Sequence, residues 1–92
     1  MGLSKCWSLK MTAEAERQFS KLDKPIQKRM AEFFKNRLLT LEHPRLLGKA
    51  LSGQLNHYWS YRIGDYRVIA DIQDDALTII AVNIGHRRDI YH

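Results

Sequence analysis

The chain of 92 residues is poor in cysteine and proline, which occur once and twice, and it has no long apolar run. The single Cys6 excludes an internal disulfide and a multi-cysteine metal site, and it fits a reducing cytoplasm. No segment approaches the roughly 20 apolar residues that a membrane span needs, and the first residues lack the apolar block of a signal peptide. We therefore expect a cytoplasmic, globular, one-domain protein without a membrane partner.

The sequence also lacks the short motifs of several common catalytic sites. It contains no glycine-rich phosphate loop and no serine nucleophile elbow. Its four histidines are scattered, and no spacing of Asp, Glu and His suggests a metal site. We expect neither a metal nor another cofactor.

Positive charge is what the chain has in excess, since 15 Lys and Arg against 10 Asp and Glu give a net charge of +5. Within residues 21–49 the only acids are Asp23, Glu32 and Glu42. Such a local excess favours a polyanionic partner, either nucleic acid or an acidic protein. The basic residues of this segment are Lys21, Lys24, Lys28, Arg29, Lys35, Arg37, Arg45 and Lys49.

The first half of the chain predicts a strand followed by two helices. Partial alternation over residues 4–11 indicates the strand, and Thr12 is a suitable N-cap for a helix over about 13–22. Asp23 is expected to cap the second helix, which the proline of His43-Pro44 ends. Its apolar residues at helical spacing are Ile26, Met30, Phe33, Phe34, Leu38 and Leu41.

The second half predicts an irregular stretch over 44–57 and then three strands over about 58–63, 66–73 and 76–84. Gly64-Asp65 and Asp74-Asp75 provide the turns of an antiparallel meander. The predicted class is therefore α+β, in the order β-α-α-β-β-β.

A two-residue turn at Gly64-Asp65 sets the faces of this meander, because side chains alternate along a strand. It places Arg62 opposite Arg67 on one face. The other face is apolar and is predicted to pack against the helices; it carries Trp59, Tyr61, Ile63, Tyr66, Val68, Ala70, Ile72, Leu77, Ile79 and Ala81.

Two arginines directly opposite each other destabilise a sheet, so a bound anion is a natural reason to keep them. Arginine suits phosphate because its planar fork donates two parallel hydrogen bonds. The plainer alternative is that Arg62 and Arg67 pair with carboxylates. The available partners in that case are Asp71, Asp89 and Glu42.

The segment after the last strand, His86-Arg87-Arg88-Asp89-Ile90-Tyr91, is expected to reach the same anion. His86 suits acid–base chemistry, as histidines generally do, or it is a solvated histidine at the strand end. Tyr91 either contributes its hydroxyl or ring to the site or covers the sheet as an apolar cap.

Two segments resemble the RelE/ParE toxin superfamily, and more closely its RelE branch. They are Trp59-x-x-Arg62-x-Gly64-Asp65-Tyr66-Arg67 and Gly85-His86-Arg87-Arg88-Asp89-Ile90-Tyr91. The resemblance implies a toxin of a bacterial toxin–antitoxin pair that cuts mRNA in the ribosomal A site without metal. In that chemistry the 2′-hydroxyl attacks the adjacent phosphate.

The resemblance also implies roles for individual residues. Arg67 and Arg87 match the family's active-site arginines, and Tyr91 matches its C-terminal tyrosine. His86 is the preferred titrating group. Two lysines of the founding member are replaced by Tyr58 and Ser60, so Lys49 or His86 would substitute as base. The residues expected to bind RNA are Arg62, Lys49, Arg45, Lys28, Arg29, Lys35 and Arg37.

The implied partners are a cognate antitoxin, RelB-like or other, together with the ribosome and mRNA. Operator DNA would be reached only through the antitoxin. A ParE-like inhibitor of DNA gyrase stays open as an alternative, although the His-Arg-Arg-Asp-Ile-Tyr run argues against it. The missing lysines leave a second alternative, a degenerate toxin that only binds its antitoxin and helps to repress an operon.

Overall fold

The computed structural model describes residues 7–39, 44–51, 53 and 57–86. It confirms the α+β class and the predicted order of a strand, two helices and an antiparallel meander, and it adds one short strand. The strands are β1 (Ser8–Met11), β2 (Lys49–Ala50), β3 (Trp59–Ile63), β4 (Tyr66–Gln73) and β5 (Thr78–His86). The helices are α1 (Ala13–Ser20) and α2 (Lys24–Phe33), with a π-helical turn over Phe34–Leu38 and a 3-10 turn over Pro44–Leu47.

The two helices begin where the sequence predicts and end earlier. Thr12 caps α1, since its hydroxyl oxygen accepts a hydrogen bond from the Ala15 backbone N–H at 3.1 Å. Asp23 occupies the N-cap of α2, but its side chain makes no capping hydrogen bond there. Beyond Phe33 the chain widens into the π turn, where the Leu39 N–H donates to the Phe34 carbonyl at 2.8 Å. No helix of the described residues is long and apolar enough to cross a membrane.

The five strands form one sheet in the order β1-β5-β4-β3-β2. β1 runs parallel to β5, and the other neighbours are antiparallel. The predicted register of the β3–β4 hairpin is confirmed, with Arg62 paired to Arg67 and Tyr61 to Val68. The turn works because Gly64 adopts a φ of 61°, which glycine accepts without steric cost.

The β4–β5 hairpin differs from the expectation of a two-residue turn. Its turn spans residues 74–77, with Leu77 at a φ of 47°, and β5 runs over Thr78–His86 instead of 76–84. Ile69 pairs with Asn83 and Ala70 with Ala81, which leaves one extra residue, Val82, in a bulge. The sequence did not indicate this turn, because leucine rarely takes a positive φ.

The hydrophobic core lies between the helices and the predicted apolar face of the sheet. Tyr61, Val68 and Ile79 are buried there, and Trp59 and Tyr66 pack against them while partly exposed. The helical residues of this core are Ala15, Met30, Phe34 and Leu38. The opposite face is only partly exposed, because its Ser60, Ile69 and Thr78 are also buried.

A side chain of α1 closes part of the β5 edge. Among the described residues, β1 pairs with Thr78 to Ala81 of β5, and β5 continues to His86. There the Gln18 side-chain oxygen accepts a hydrogen bond from the Ile84 N–H at 2.6 Å. The Gln18 amide nitrogen donates to Asn83 Oδ1 at 2.8 Å. One glutamine thus occupies the position of a neighbouring strand.

Candidate active site

Arg62 and Arg67 meet across the β3–β4 hairpin on the sheet face away from the helices. Arg62 is exposed and Arg67 is half-buried. Within the residues that the structure describes, neither guanidinium has a carboxylate within 4 Å, and Asp71 pairs with neither. Their hydrogen bonds are long ones to backbone carbonyls, from Arg62 Nε to Gly64 and from Arg67 Nη1 to Tyr66, both 3.4 Å. The pair therefore retains its capacity to bind an anion.

Lys49 lies on the same face, which the sequence alone did not show. The stretch 44–57, predicted to be irregular, contains β2, where Lys49 pairs with Ser60 of β3. Paired residues of neighbouring strands share a face, and Ser60 lies two positions from Arg62. Three cationic side chains from β2, β3 and β4 thus share this face, and the exposed Lys49 stands one strand from Arg62.

The structure places His86 on the other side of the sheet, contrary to the expectation that it shares a site with Arg67. Because β5 extends through residue 86, His86 pairs with Tyr66, and the two rings meet edge to face with centroids 5.4 Å apart. Tyr66 belongs to the helix face, as does the groove of about 390 Å³ that His86 lines with Lys21 of α1. Arg67 instead pairs with Gly85 and has the opposite orientation.

Arg87 and Tyr91 lie outside the described residues. The last described residue, His86, follows Gly85, which pairs with Arg67.

Arg45 was expected to bind RNA, but the structure engages it within the fold. Its guanidinium donates two hydrogen bonds to the Asp74 carboxylate, at 2.9 and 2.7 Å, and lies 5.7 Å from the Trp59 ring centre. The hydrogen bonds to Asp74 raise the pKa of Arg45 above its ordinary value. An RNA phosphate would have to compete with an existing bidentate partner.

Tyr61 anchors the same region from inside the core. Its hydroxyl donates a hydrogen bond to the Pro44 carbonyl at 3.0 Å, and the side chain is fully buried. Burial raises the pKa of Tyr61 to about 12, an effect that the nearby Arg45 charge partly offsets. Gly48 fits closely against the ring, because a Cβ there would come within 2.9 Å of Tyr61 Cε1. This packing fixes the start of β2 and hence Lys49.

The remaining predicted RNA-binding residues divide into two groups. Lys28 and Lys35 are exposed on the surface of α2 and the π turn. Arg29 and Arg37 line a groove of about 320 Å³ between α2 and the β3–β4 turn, which Arg62 also borders. Within the described part of the chain, no group of three His, Cys, Asp or Glu side chains is placed to hold a metal ion.

Comparisons with known proteins match this architecture over nearly the whole chain. Residues 9–91 match the family described as the ParE toxin of the type II toxin–antitoxin system parDE. Toxin RelG of Mycobacterium tuberculosis is 32% identical over 85 residues, which are 92% of this chain and 95% of that toxin.

Solved structures give the same result. The toxin–antitoxin complex RelBE2 of Mycobacterium tuberculosis matches with a TM-score of 0.81 and 30% identity, covering 91% of this chain and 94% of the other. The isolated RelE toxin of E. coli, at 17% identity, shares the fold with a TM-score of 0.70 over 87% and 83% of the two chains. By its sequence and its fold, this chain belongs to the RelE/ParE superfamily of toxins of type II toxin–antitoxin systems.

Proposed function

We propose that the protein is a ribosome-dependent endoribonuclease that cleaves mRNA in the A site and thereby inhibits translation. The observation that carries this proposal is the pairing of Arg62 with Arg67, without a described carboxylate partner, on a face that also carries Lys49. Like-charged residues held opposite each other cost a sheet stability, so their retention favours an anionic ligand.

The chemistry proposed for this face is attack of the ribose 2′-hydroxyl on the adjacent phosphate. The new bond joins the 2′-oxygen to phosphorus, the bond to the 5′-oxygen breaks, and a 2′,3′-cyclic phosphate and a 5′-hydroxyl result. Arg67 and Arg87 would stabilise the extra negative charge on the pentacoordinate phosphorus. Because the nucleophile belongs to the substrate, the protein supplies mainly position and charge.

Lys49 is the first choice for the proton transfer that this reaction needs. Lys49 lies on the same face of the sheet as Arg62 and Arg67. It would compensate for the two lysines of the founding family member, whose positions are occupied here by Tyr58 and Ser60. Tyr91 is proposed as the acid for the 5′-oxygen or as a stacking surface for a base. His86 remains a further proposal, and its participation requires substrate to approach the sheet end from the helix side.

Mapping of mRNA cuts in a purified translation system tests the proposal. The parental protein should cut mRNA only when ribosomes are present, and a Lys49→Ala variant should cut more slowly and with an altered pH dependence. Arg17→Ala is the matched basic control, because Arg17 is an exposed residue of α1 whose partner is Glu14. Ribosome-independent cleavage, or a Lys49→Ala rate equal to that of the control, would contradict these assignments.

A cognate antitoxin is the proposed partner, and it would neutralise the toxin by covering its basic surface with an acid-rich segment. The similar Mycobacterium tuberculosis structure is described as a toxin–antitoxin complex. The net charge of +5 suits such a partner. If the copurifying partner left Lys49, Arg62 and Arg67 accessible and the complex still arrested growth, this mode of neutralisation would be wrong.

Inhibition of DNA gyrase is the second candidate, because the matching family carries the description of ParE toxins. A supercoiling assay run beside the translation assay separates the two activities. A toxin-like protein that only binds its antitoxin would be inactive in both assays and would not arrest growth on induction.

A further inference from the structure

The short strand β2 carries Lys49, but its own two side chains do little to hold it in the sheet. Both residues are exposed, and they pair with Trp59 and Ser60 of β3. An edge strand with few buried apolar contacts opens easily. The position of Lys49 therefore depends on contacts made by the residues beside it.

Gly48 makes the closest of these contacts. It precedes β2, and continuing the β2–β3 register places it opposite Tyr61. A Cβ added at Gly48 would lie 2.9 Å from Tyr61 Cε1, 3.1 Å from Tyr61 Cζ and 3.4 Å from the Ser60 carbonyl oxygen. The backbone at Gly48 thus lies directly on the Tyr61 ring, which is fully buried and has little room to move.

Space, and not backbone conformation, is the reason for a glycine at this position. Gly53 and Gly64 have positive φ angles, whereas Gly48 does not. Another residue could therefore adopt the φ of Gly48, but its side chain would have to push the chain away from β3.

The chain is held on both sides of this contact. Before it, the Tyr61 hydroxyl donates a hydrogen bond to the Pro44 carbonyl at 3.0 Å. After it, the Leu51 N–H donates to the Tyr58 carbonyl at 3.1 Å. A displacement that begins between these two points reaches Lys49 first, because Lys49 follows Gly48 directly.

We propose that Gly48 is a positioning residue for cleavage. By allowing the chain to lie on the Tyr61 ring, it holds Lys49 at the sheet face that carries Arg62 and Arg67, here called the arginine face. The inference rests on the proposed role of Lys49 in proton transfer. A displacement of about 1 Å can cost a reaction on the order of 100-fold in rate, so even a small shift of β2 affects cleavage.

Single-turnover cleavage of ribosome-bound mRNA by the full-length protein tests this role. Gly48→Ala should lower the rate by about 10-fold or more, while the toxin concentration that gives the half-maximal rate stays within about 2-fold. In a Lys49→Ala background the same change should alter the remaining rate by less than about 2-fold, because the group that it misplaces is already absent. The pH dependence of cleavage by Gly48→Ala should resemble that of Lys49→Ala.

Tyr61→Phe is the matched control for a loss of stability. It keeps the ring and loses only the hydroxyl, so it should unfold more easily and still cleave within about 2-fold of the parental rate. Tyr61→Leu is the second variant, and it decides the question if Gly48→Ala does not fold. It removes the outer part of the ring, so it should slow cleavage in the presence of Lys49 and not in the Lys49→Ala background.

Failure of this inference can be distinguished from failure of the proposed function. If Lys49→Ala cleaves at the parental rate, the proposed base is wrong, and the role of Gly48 is wrong with it. If Lys49→Ala is slow and Gly48→Ala cleaves at the parental rate, only the positioning role is wrong. Equal losses from Gly48→Ala with and without Lys49 would indicate a general disturbance of the sheet and would also overturn the proposal.

Discussion

At the end of the meander formed by the β4–β5 turn, Arg45 donates two hydrogen bonds to Asp74 and covers Trp59. At the end formed by the β3–β4 turn, Arg62 and Arg67 face each other with no carboxylate partner in the described structure. The first arrangement uses an arginine to hold a loop to the sheet. The second keeps like charges together at some cost in stability. The first arginine therefore has a structural role, and the other two are the ones that we propose bind a ligand.

The largest effect that should separate the two ends is on catalysis. Arg67→Ala should lower the rate of ribosome-dependent cleavage on the order of 100-fold or more, if its loss resembles that of one oxyanion-hole donor at about 2–4 kcal/mol. Arg67→Lys should rescue poorly, because an ammonium cannot reproduce the planar fork. Single-turnover cleavage rates measure the effect, and Arg87→Ala should behave in the same way.

Arg45→Ala is the control at the opposite end of the meander. It should leave the cleavage rate within a few-fold of the parental value while lowering stability. A folded Arg67→Ala protein that cleaves at the parental rate would refute the assignment of the site.

The next largest effect concerns Tyr61 and alkaline pH. Burial raises its pKa to about 12, so between pH 10 and 12 an unfolded chain loses this proton and the folded protein keeps it. The contribution of Tyr61 to the free energy of unfolding should therefore be fully present below pH 10. Above pH 10 the free energy of unfolding should fall by up to about 1.4 kcal/mol per pH unit. Denaturant unfolding at several pH values measures this slope.

Tyr61→Phe provides the comparison for that experiment. This variant lacks the hydrogen bond to Pro44, so its free energy of unfolding at neutral pH should be lower by about 1 kcal/mol. Above pH 10 its free energy of unfolding should fall less steeply with pH. Equal slopes in the two proteins would show that other groups cause the alkaline instability.

A smaller effect is expected for Gly64→Ala at the β3–β4 turn. The φ of 61° should cost alanine about 1–2 kcal/mol, and the added Cβ would displace Arg29. Thermal unfolding measures the loss. Gly53→Ala is the matched control, because Gly53 also has a positive φ, of 71°, but its Cβ would meet no atom within 4 Å. An equal loss in both variants would mean that contact with Arg29 contributes nothing.

The smallest effect is expected for the ion pair at the other turn. Arg45 and Asp74 are 39% and 60% exposed, so solvent should limit their coupling to about 1 kcal/mol or less. A double-mutant cycle of Arg45→Met and Asp74→Asn in denaturant unfolding measures this coupling. Coupling well above that limit would show that the pair organises the turn and the Pro44–Leu47 segment together.

The same two turns explain how much of the fold the sequence revealed. Gly64 supplies the positive φ that a two-residue turn needs, so the pairing of Arg62 with Arg67 and the apolar helix face could both be predicted. In the β4–β5 turn Leu77 adopts a φ of 47°, and farther along β5 Val82 forms a bulge. No residue near either position in the sequence indicates these features. Both depend on tertiary packing, so the end of β5 was misplaced by two residues.

The candidate site was predictable to a similar extent. The arginines of the hairpin could be assigned by alternation alone. His86 could not, because the bulge at Val82 reverses the faces of the residues that follow it in β5. Lys49 was missed as a member of the arginine face because β2 has only two residues, too few to show alternation. The ion pair of Arg45 with Asp74 could not be predicted, because Asp74 is 29 positions away in sequence.

The Gln18 side chain at the β5 edge bears on how the protein behaves at high concentration. Unpaired strand edges invite other chains to add a strand, which leads to aggregation. Any strand arriving beside Ile84 must first displace the Gln18 oxygen from the Ile84 N–H, a contact worth about 0.5–1.5 kcal/mol. Replacing Gln18 with leucine would leave that backbone donor without its acceptor, so purified protein should self-associate at lower concentrations.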